Sequence, residues 1–188
     1  MMHEEDKKSL LILARDSIET YFKKEEPNLE NVLHMNTEQG VFVTIHKRGS
    51  LRGCIGFPEP VMPLFKAVIE AAKSAAFNDP RFPMMTKDEL REIDIEISVL
   101  TVPEEIKVDD SSDYPKNIEI GKDGLIIRGE FQSGLLLPQV ATEQNWTEVQ
   151  FLNAVCQKAG LPFTAWQDSD KKIYKFQAEI FSEREMFK

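Results

Sequence analysis

The sequence predicts an α+β protein in which a mainly antiparallel sheet is flanked by helices. Segments with apolar residues at helical spacing occur beside segments in which apolar and polar residues alternate, and prolines and glycines separate them. At 188 residues, 41% of them hydrophobic, the chain is long enough for one domain or for two small lobes. We expect two interlocked lobes with a cleft between them, within one domain covering 1–188. The larger lobe would span about 1–103 plus the C-terminal strand, and the smaller lobe about 118–165.

The first predicted element is an amphipathic helix that ends before Pro27. Its apolar positions recur at helical spacing, with lysine and glutamate between them: Leu10, Leu11, Ala14, Ile18, Tyr21 and Phe22. Two runs of period-2 alternation follow on either side of Arg48-Gly49-Ser50. These runs predict a β-hairpin.

The register of this hairpin follows from its apolar pattern. If the apolar residues of both strands share the core face, directly paired positions must sum to an even number, so the loop has an odd length. A three-residue loop at 48–50 pairs Thr44 with Cys54 and His46 with Arg52. The second face of the hairpin would then carry four side chains: Thr44, His46, Arg52 and Cys54.

The next segments predict a helix, a stiff loop, a short helix and a strand. A stripe of small apolar residues from Leu64 to Ala75 predicts a helix that covers the hairpin. Two prolines stiffen the loop 77–83, and Thr86 with Glu89 forms a capping box. From 93 to 99, isoleucine and valine alternate with polar residues, which predicts a strand with one polar face.

The second half of the chain predicts a smaller set of elements. We interpret the acidic stretch 103–117 as an exposed connection and Gly121-Lys122-Asp123-Gly124 as a hairpin turn. Pro138 indicates a strand end, and Thr147 with Gln150 caps a helix whose buried stripe includes Cys156. Alternation from 174 to 180 predicts a final, half-exposed strand.

The segment Leu51-Arg52-Gly53-Cys54-Ile55-Gly56 contains the chief candidate site. Period-2 geometry puts Arg52 and Cys54 on one face, and Gly53 allows a ligand or another backbone to approach. The alternative is that Cys54 is a small buried hydrophobic residue. His46 is a candidate base for the thiol, although its predicted partner is Arg52, and it is otherwise a surface residue.

Two further segments supply candidate residues. Asp79 and Arg81 either bind a ligand or form an internal pair that fixes their loop. Glu96 on the polar face of its strand is either a general base or a solvated edge residue. The candidate site therefore has Cys54 and Glu96 as catalytic residues, and a larger set that binds substrate: Arg52, Gly53, Asp79, Arg81, Thr44 and His46.

Four motifs carry a resemblance to a known family. LRGCIG, FNDPRFP, EISVLT and LLPQVA occur in this order, and the sequence resembles the AMMECR domain family from about Leu10 to about Phe181. The resemblance implies an archaeal or bacterial member and a defined fold, without implying a reaction. Many relatives have a histidine at the position of Asp123, which argues against an imidazole-dependent role here. The family also implies a radical-SAM or dioxygenase-like protein as a partner.

Composition excludes several classes of function. Thirty-two acidic residues against 23 basic ones give a net charge of −9, which disfavours nucleic acid as a partner. No apolar run reaches the ~18 residues of a membrane helix, so we expect no membrane association. The two cysteines lie far apart and the start lacks the pattern of a signal peptide, which predicts a cytoplasmic protein. Dispersed histidines and the absence of paired-ligand spacing predict no metal site, while the sequence leaves the identity of any cofactor unknown.

Two hypotheses of function follow. In the first, the protein is an enzyme in which Cys54 beside Arg52 attacks a small anionic substrate, Arg81 binds its charge, and Glu96 or Asp79 handles protons. In the second, the same groove holds a peptide or a small anion without turnover, as a binding or adaptor module.

Overall fold

A computed structural model describes residues 2–187, and the chain folds into two compact units. The first unit comprises residues 1–100 and 179–188, and the second comprises residues 101–178. The strand pairs are antiparallel and helices flank them. The predicted α+β class is therefore confirmed.

The first unit contains three paired strands and two long helices. Helix α1 (Glu4–Lys23) precedes the hairpin of β1 (Val41–Lys47) and β2 (Ser50–Phe57). Helix α2 (Leu64–Phe77), a 3₁₀ helix (Lys87–Arg91) and strand β3 (Ile93–Leu100) follow. Strand β1 lies between β2 and β3, so β2 is an edge strand.

One face of this sheet is covered by the two helices. Val43, Ile45, Ile95 and Ile97 are fully buried on it, together with the apolar stripes of α1 and α2. The C-terminal residues of the chain also pack here, because the Arg15 side chain forms two hydrogen bonds with Glu183, of 2.5 and 2.6 Å. The opposite face of the sheet carries the polar residues of the alternating pattern.

The second unit is built on strands β5 (Asp123–Arg128), β6 (Ser133–Leu136) and β7 (Lys172–Ser182), of which β7 extends into the first unit. Short strand β4 (Glu104–Glu105) pairs with β7. Helices α3 (Pro138–Glu143) and α4 (Glu148–Lys158) follow β6, and a 3₁₀ helix (Ala165–Gln167) precedes β7. Phe151, Leu152 and the fully buried Cys156 contribute to a separate core. The chain ends in a short helix α5 (Glu183–Met186) of the first unit.

Two local predictions in the second unit are wrong. The stretch expected as a plain connection contains β4 and a 3₁₀ helix (Ser111–Asn117), capped by the Asp110 carboxylate through the Ser112 N–H at 2.8 Å. The Gly121–Gly124 segment leads into β5 instead of joining two paired strands, and the hairpin turn lies between β5 and β6. The strand end predicted at Pro138 is correct, because β6 ends at Leu136 and Pro138 begins α3, where the N–H that proline lacks has no intrahelical partner.

Candidate functional site

The polar face of the first unit's sheet brings three of the candidate residues into one row. Thr44 lies opposite Cys54 on one side and opposite Glu96 on the other. The next row joins His46 to Asp94. Directly opposed Cβ atoms lie about 4.5–5.5 Å apart, so a thiol, a hydroxyl and a carboxylate follow one another across three strands.

The Cys54 thiol is half-buried and hydrogen-bonded to its neighbour. Thr44 Oγ1 donates to Cys54 Sγ at 3.2 Å. The predicted pairing of Thr44 with Cys54 is therefore confirmed. The prediction that Cys54 is on the second face of the hairpin is also correct, and Cys54 is not one of the fully buried core residues.

The backbone of Cys54 is held from the open edge of strand β2 by the loop that follows α2. Asp79 Oδ2 accepts a hydrogen bond from the Cys54 N–H at 2.9 Å, and Arg81 Nη2 donates to the Cys54 carbonyl at 3.1 Å. These two side chains occupy the positions that a further strand would fill. Because both backbone groups of Cys54 point to the edge, Thr44 and Cys54 form the closer, non-hydrogen-bonded type of antiparallel pair. We call Asp79 and Arg81 the edge clamp.

The clamp is held together by a two-point ion pair. Arg81 Nε and Nη2 donate to the two Asp79 carboxylate oxygens at 3.0 and 2.8 Å, and the Arg81 N–H adds a bond of 3.1 Å. The Asp79 side chain is 2% exposed, whereas that of Arg81 is 54% exposed. The hydrogen bonds from Arg81 hold the pKa of Asp79 well below its usual range, against the opposing effect of burial. An ionised, fully occupied carboxylate is a poor proton acceptor, so Asp79 is not suited to act as a base.

Arg81 is also the arginine that neighbours the thiol. Its pKa is raised, mainly by the hydrogen bond with Asp79, and the charge of a Cys54 thiolate and a side-chain hydrogen bond to it raise it further. Its guanidinium carbon lies 5.6 Å from the centre of the Phe82 ring. The clamp therefore places a half-exposed guanidinium, paired with the buried Asp79 carboxylate, beside Cys54.

Arg52 does not join this arrangement, and the predicted pairing of His46 with Arg52 is wrong. The hairpin turn has only two residues, Arg48 and Gly49, so Lys47 pairs with Ser50 and His46 pairs with Leu51. The register then shifts by one residue at a β-bulge between the pairs of His46 and Ile45. Both turn residues have positive φ, 51° and 84°, as a tight turn that matches the twist of the strands requires.

The bulge directs Arg52 toward the 3₁₀ helix. Its Nε and Nη2 donate to the Glu89 carboxylate at 2.9 and 3.1 Å, and Nη2 also donates to the Pro83 carbonyl at 2.9 Å. These bonds lower the pKa of Glu89 to about 2, with smaller contributions from the Thr86 N–H and Lys47. Arg52 is 9% exposed, and its Nη1 has no hydrogen-bond partner among residues 2–187. Arg52 therefore joins strand β2 to Pro83 and to the 3₁₀ helix at Glu89.

Gly53 lies on the covered face of the sheet. A Cβ atom at this position would stand 2.1 Å from the Ala75 carbonyl oxygen. The close approach predicted for Gly53 is therefore made by the backbone of α2, which leaves no space for a ligand on that side.

The sequence profile of the AMMECR1 family matches residues 11–181. The chain belongs to the AMMECR1 family. A protein from Methanothermobacter thermautotrophicus is 46% identical, with 97% of this chain and 96% of that protein aligned. Protein MK0488 from Methanopyrus kandleri is 47% identical, with 96% and 90% aligned.

A solved AMMECR1 structure agrees with the fold described above. The crystal structure of the uncharacterized protein PH0010 from Pyrococcus horikoshii matches with a TM-score of 0.86 and 44% identity. The match covers 96% of this chain and 91% of that one. The AMMECR domain resemblance found in the four sequence motifs is thus confirmed.

The polar face of the first unit's sheet, which carries Thr44, His46 and Glu96, borders a groove of about 1,520 Å³. His46, Asp94 and Glu96 line it, together with residues of α1 and of the C-terminal segment. Burial and the charge of Glu183 raise the pKa of Asp94. His46 and Glu96 both line this groove. The edge clamp and Arg52 do not line it.

Two negative findings apply to the AMMECR1 chain as described. Between residues 2 and 187, no group of three histidine, cysteine, aspartate or glutamate residues is arranged to hold a metal ion. Within the same range, no helix is both long enough and apolar enough to cross a membrane.

Two residues that shape the candidate site, Glu89 and Arg15, were not predicted from the sequence. Glu89 is the partner of Arg52, and its only sequence signal was the capping box, which it also forms by accepting from the Thr86 N–H at 2.9 Å. Arg15 fixes the C-terminal segment through Glu183, a contact across 168 positions for which the sequence offers no local signal.

Proposed function

We propose that this protein is an enzyme in which Cys54 acts as a nucleophile on a small anionic substrate. The observation that carries the proposal is the fixed position of the thiol. Asp79 and Arg81 hold both backbone groups of Cys54, while Thr44 donates to its sulfur at 3.2 Å. A nucleophile fixed by its neighbours loses little entropy on reaching the reactive geometry.

Each candidate residue has a defined role in this proposal. The Thr44 hydroxyl donates to the Cys54 sulfur and so stabilises the thiolate, and the Glu96 carboxylate, which lies opposite Thr44 in the register, accepts the thiol proton. The resulting thiolate attacks an electrophilic carbon of the substrate and displaces a leaving group, which departs with the electron pair of the broken bond and takes up the proton held by Glu96. Arg81, with more than half of its side chain exposed, binds the anionic group of the substrate and favours the thiolate. His46 lies one row away and is available to contact bound substrate.

Arg52 is less suited to this role than Arg81, because each guanidinium is paired with a carboxylate but the Arg52 side chain is 11% exposed and that of Arg81 is 54% exposed. Glu89 neutralises Arg52 within the first unit, and both side chains are nearly buried. Arg81 therefore takes over the thiolate stabilisation that the sequence suggested for Arg52, in addition to the anion binding already expected of Arg81.

A binding or adaptor module is the second candidate function. The Cys54 N–H is occupied by Asp79, so it cannot stabilise an oxyanion next to the nucleophile, as the amide of a nucleophile commonly does in acyl transfer. In this alternative the same site would hold a small anion or a peptide without turnover. A radical-SAM or dioxygenase-like protein, the partner implied by the family resemblance, would carry out the chemistry. A cytoplasmic location suits both candidates because a free thiol persists in a reducing compartment.

Turnover separates the two candidates. The protein is incubated with a panel of small carboxylates and phosphate esters, and substrate loss is followed by mass spectrometry. We expect consumption of at least one compound, and a loss of at least 100-fold in rate in Cys54→Ala, with Cys156→Ala as the matched control. Saturable binding without consumption, unchanged in Cys54→Ala, would support the module and contradict the enzyme.

A further inference from the structure

The groove of the first unit has more room than a small substrate needs. Its volume of about 1,520 Å³ exceeds the range of roughly 300–1,000 Å³ that is common for small-molecule sites. Helix α1, the β1–β2 turn, the start of β3 and the C-terminal segment all contribute to its walls. These dimensions suit a stretch of polypeptide.

The groove carries an excess of negative charge. Seven carboxylates and four arginines line it. Two of the arginines are already neutralised, because Arg15 binds Glu183 at 2.5 Å and Arg48 binds Glu92 at 2.6 Å. In contrast, Glu19 and Glu185 form no ion pair within the described range 2–187. Burial and then the charge of Glu183 raise the pKa of Asp94, against the opposing effects of Arg184 and His46.

Two large apolar side chains are exposed in the same groove. Ile12 is 58% exposed and Phe187 is 50% exposed, and both line its wall. Exposed apolar side chains inside a charged groove are typical of surfaces that bind a partner with both apolar and charged groups. The exposure of Ile12 and Phe187 supports a partner-binding surface independently of the excess of carboxylates.

We propose that this groove docks a segment of a partner protein that carries lysine or arginine residues next to an apolar residue. The basic side chains pair with Glu19, Glu185 and Asp94, and the apolar side chain packs on Ile12 and Phe187. The complementarity of charge selects this occupant over an acidic peptide or nucleic acid. The inference does not depend on the role of Cys54.

Peptide binding by fluorescence anisotropy tests the inference. The probe is a labelled peptide of alternating lysine and leucine, and the comparison peptide alternates glutamate and leucine. We expect saturable binding of the basic peptide, weakened at high salt, and no binding of the acidic one.

Charge-reversal variants locate the binding. Glu19→Lys/Glu185→Lys should weaken binding of the basic peptide about tenfold or more. The matched control Glu70→Lys/Glu143→Lys changes the net charge equally at two exposed positions that do not line the groove, and should change binding less than twofold. Cys54→Ala should bind as the unaltered protein does, which separates this test from that of the proposed enzyme.

Three results would overturn the inference. Equal losses in the groove and control variants would show a non-specific charge effect. Equal binding of the basic and acidic peptides would remove the argument from charge. Spermidine that competes with the peptide at equal affinity would show a site for small cations in place of a peptide groove.

Discussion

Asp79 illustrates how one buried side chain fixes a reactive one. Its carboxylate accepts hydrogen bonds from the Cys54 N–H, the Arg81 N–H and the Arg81 guanidinium. Replacing it by asparagine removes the charge but preserves the volume. We expect Asp79→Asn to lower the free energy of unfolding by about 2 kcal/mol, less than a fully buried pair because Arg81 is half exposed. Urea denaturation measures this change, and a loss below about 0.5 kcal/mol would contradict the role of the clamp.

Glu89 provides a pH-dependent test at the residue scale. Its pKa falls from an ordinary 4.5 to about 2 in the folded protein. A carboxyl with a lowered pKa stabilises the fold fully above its unfolded pKa, and this stabilisation is lost as the pH falls through the folded pKa. The difference in unfolding free energy between the unaltered protein and Glu89→Gln should be constant above about pH 5 and shrink between about pH 4.5 and 2.

The control for this titration is Glu70→Gln, which changes an exposed glutamate of α2. Urea denaturation at several pH values measures both differences. The Glu70→Gln difference should stay near zero throughout. A difference for Glu89→Gln that grows as the pH falls would contradict the assigned ion pair with Arg52.

At the scale of elements, the β1–β2 turn shows why the register prediction failed. The alternation of apolar residues required an odd loop if the strands were regular, and the sequence does not mark a bulge. The chain instead forms a two-residue turn, whose twist fits that of the strands. A β-bulge at Arg52 then shifts the register by one residue. Thr44 still meets Cys54, because the bulge restores the pairing before that point.

This turn gives a stabilising prediction. Arg48 has a positive φ of 51°, which asparagine and glycine adopt more readily than arginine. The surface pair that Arg48 forms with Glu92 contributes little, since the Arg48 side chain is 76% exposed. Arg48→Asn should raise the free energy of unfolding by about 0.5 kcal/mol. Urea denaturation measures this change. A decrease in the free energy of unfolding would show either that the Arg48–Glu92 ion pair stabilises the protein more than expected or that the turn does not hold Arg48 at a positive φ.

The packing of α2 on β2 depends on a glycine. Because a Cβ at Gly53 would stand 2.1 Å from the Ala75 carbonyl oxygen, helix or strand must move in Gly53→Ala. We expect a loss of about 2–3 kcal/mol in unfolding free energy. The control is Gly129→Ala, whose added Cβ meets only flexible side-chain ends at 3.2 Å or more. Similar losses in both variants would contradict the close approach.

At the scale of the whole molecule, periodicity predicted the α+β class and most of the long elements. The helices α1, α2 and α4 and the strands β1, β3 and β7 follow from regular patterns of burial that extend over several residues. The sequence did not predict the pairing of Arg52 with Glu89 or of Arg15 with Glu183, because both join distant segments. The sheet face that carries Thr44, His46 and Cys54 was predictable since alternation fixes which residues share a face.

Charge selectivity at Cys54 most directly tests the claim that the exposed guanidinium of Arg81 acts on anions beside a fixed thiol. In a Cys156→Ser background, the rates of alkylation by iodoacetate and by neutral iodoacetamide are compared. The account predicts that the ratio of iodoacetate to iodoacetamide rates falls at least threefold in Arg81→Ala and much less in Arg81→Lys, which retains the charge. A ratio that is the same in all three proteins would contradict it.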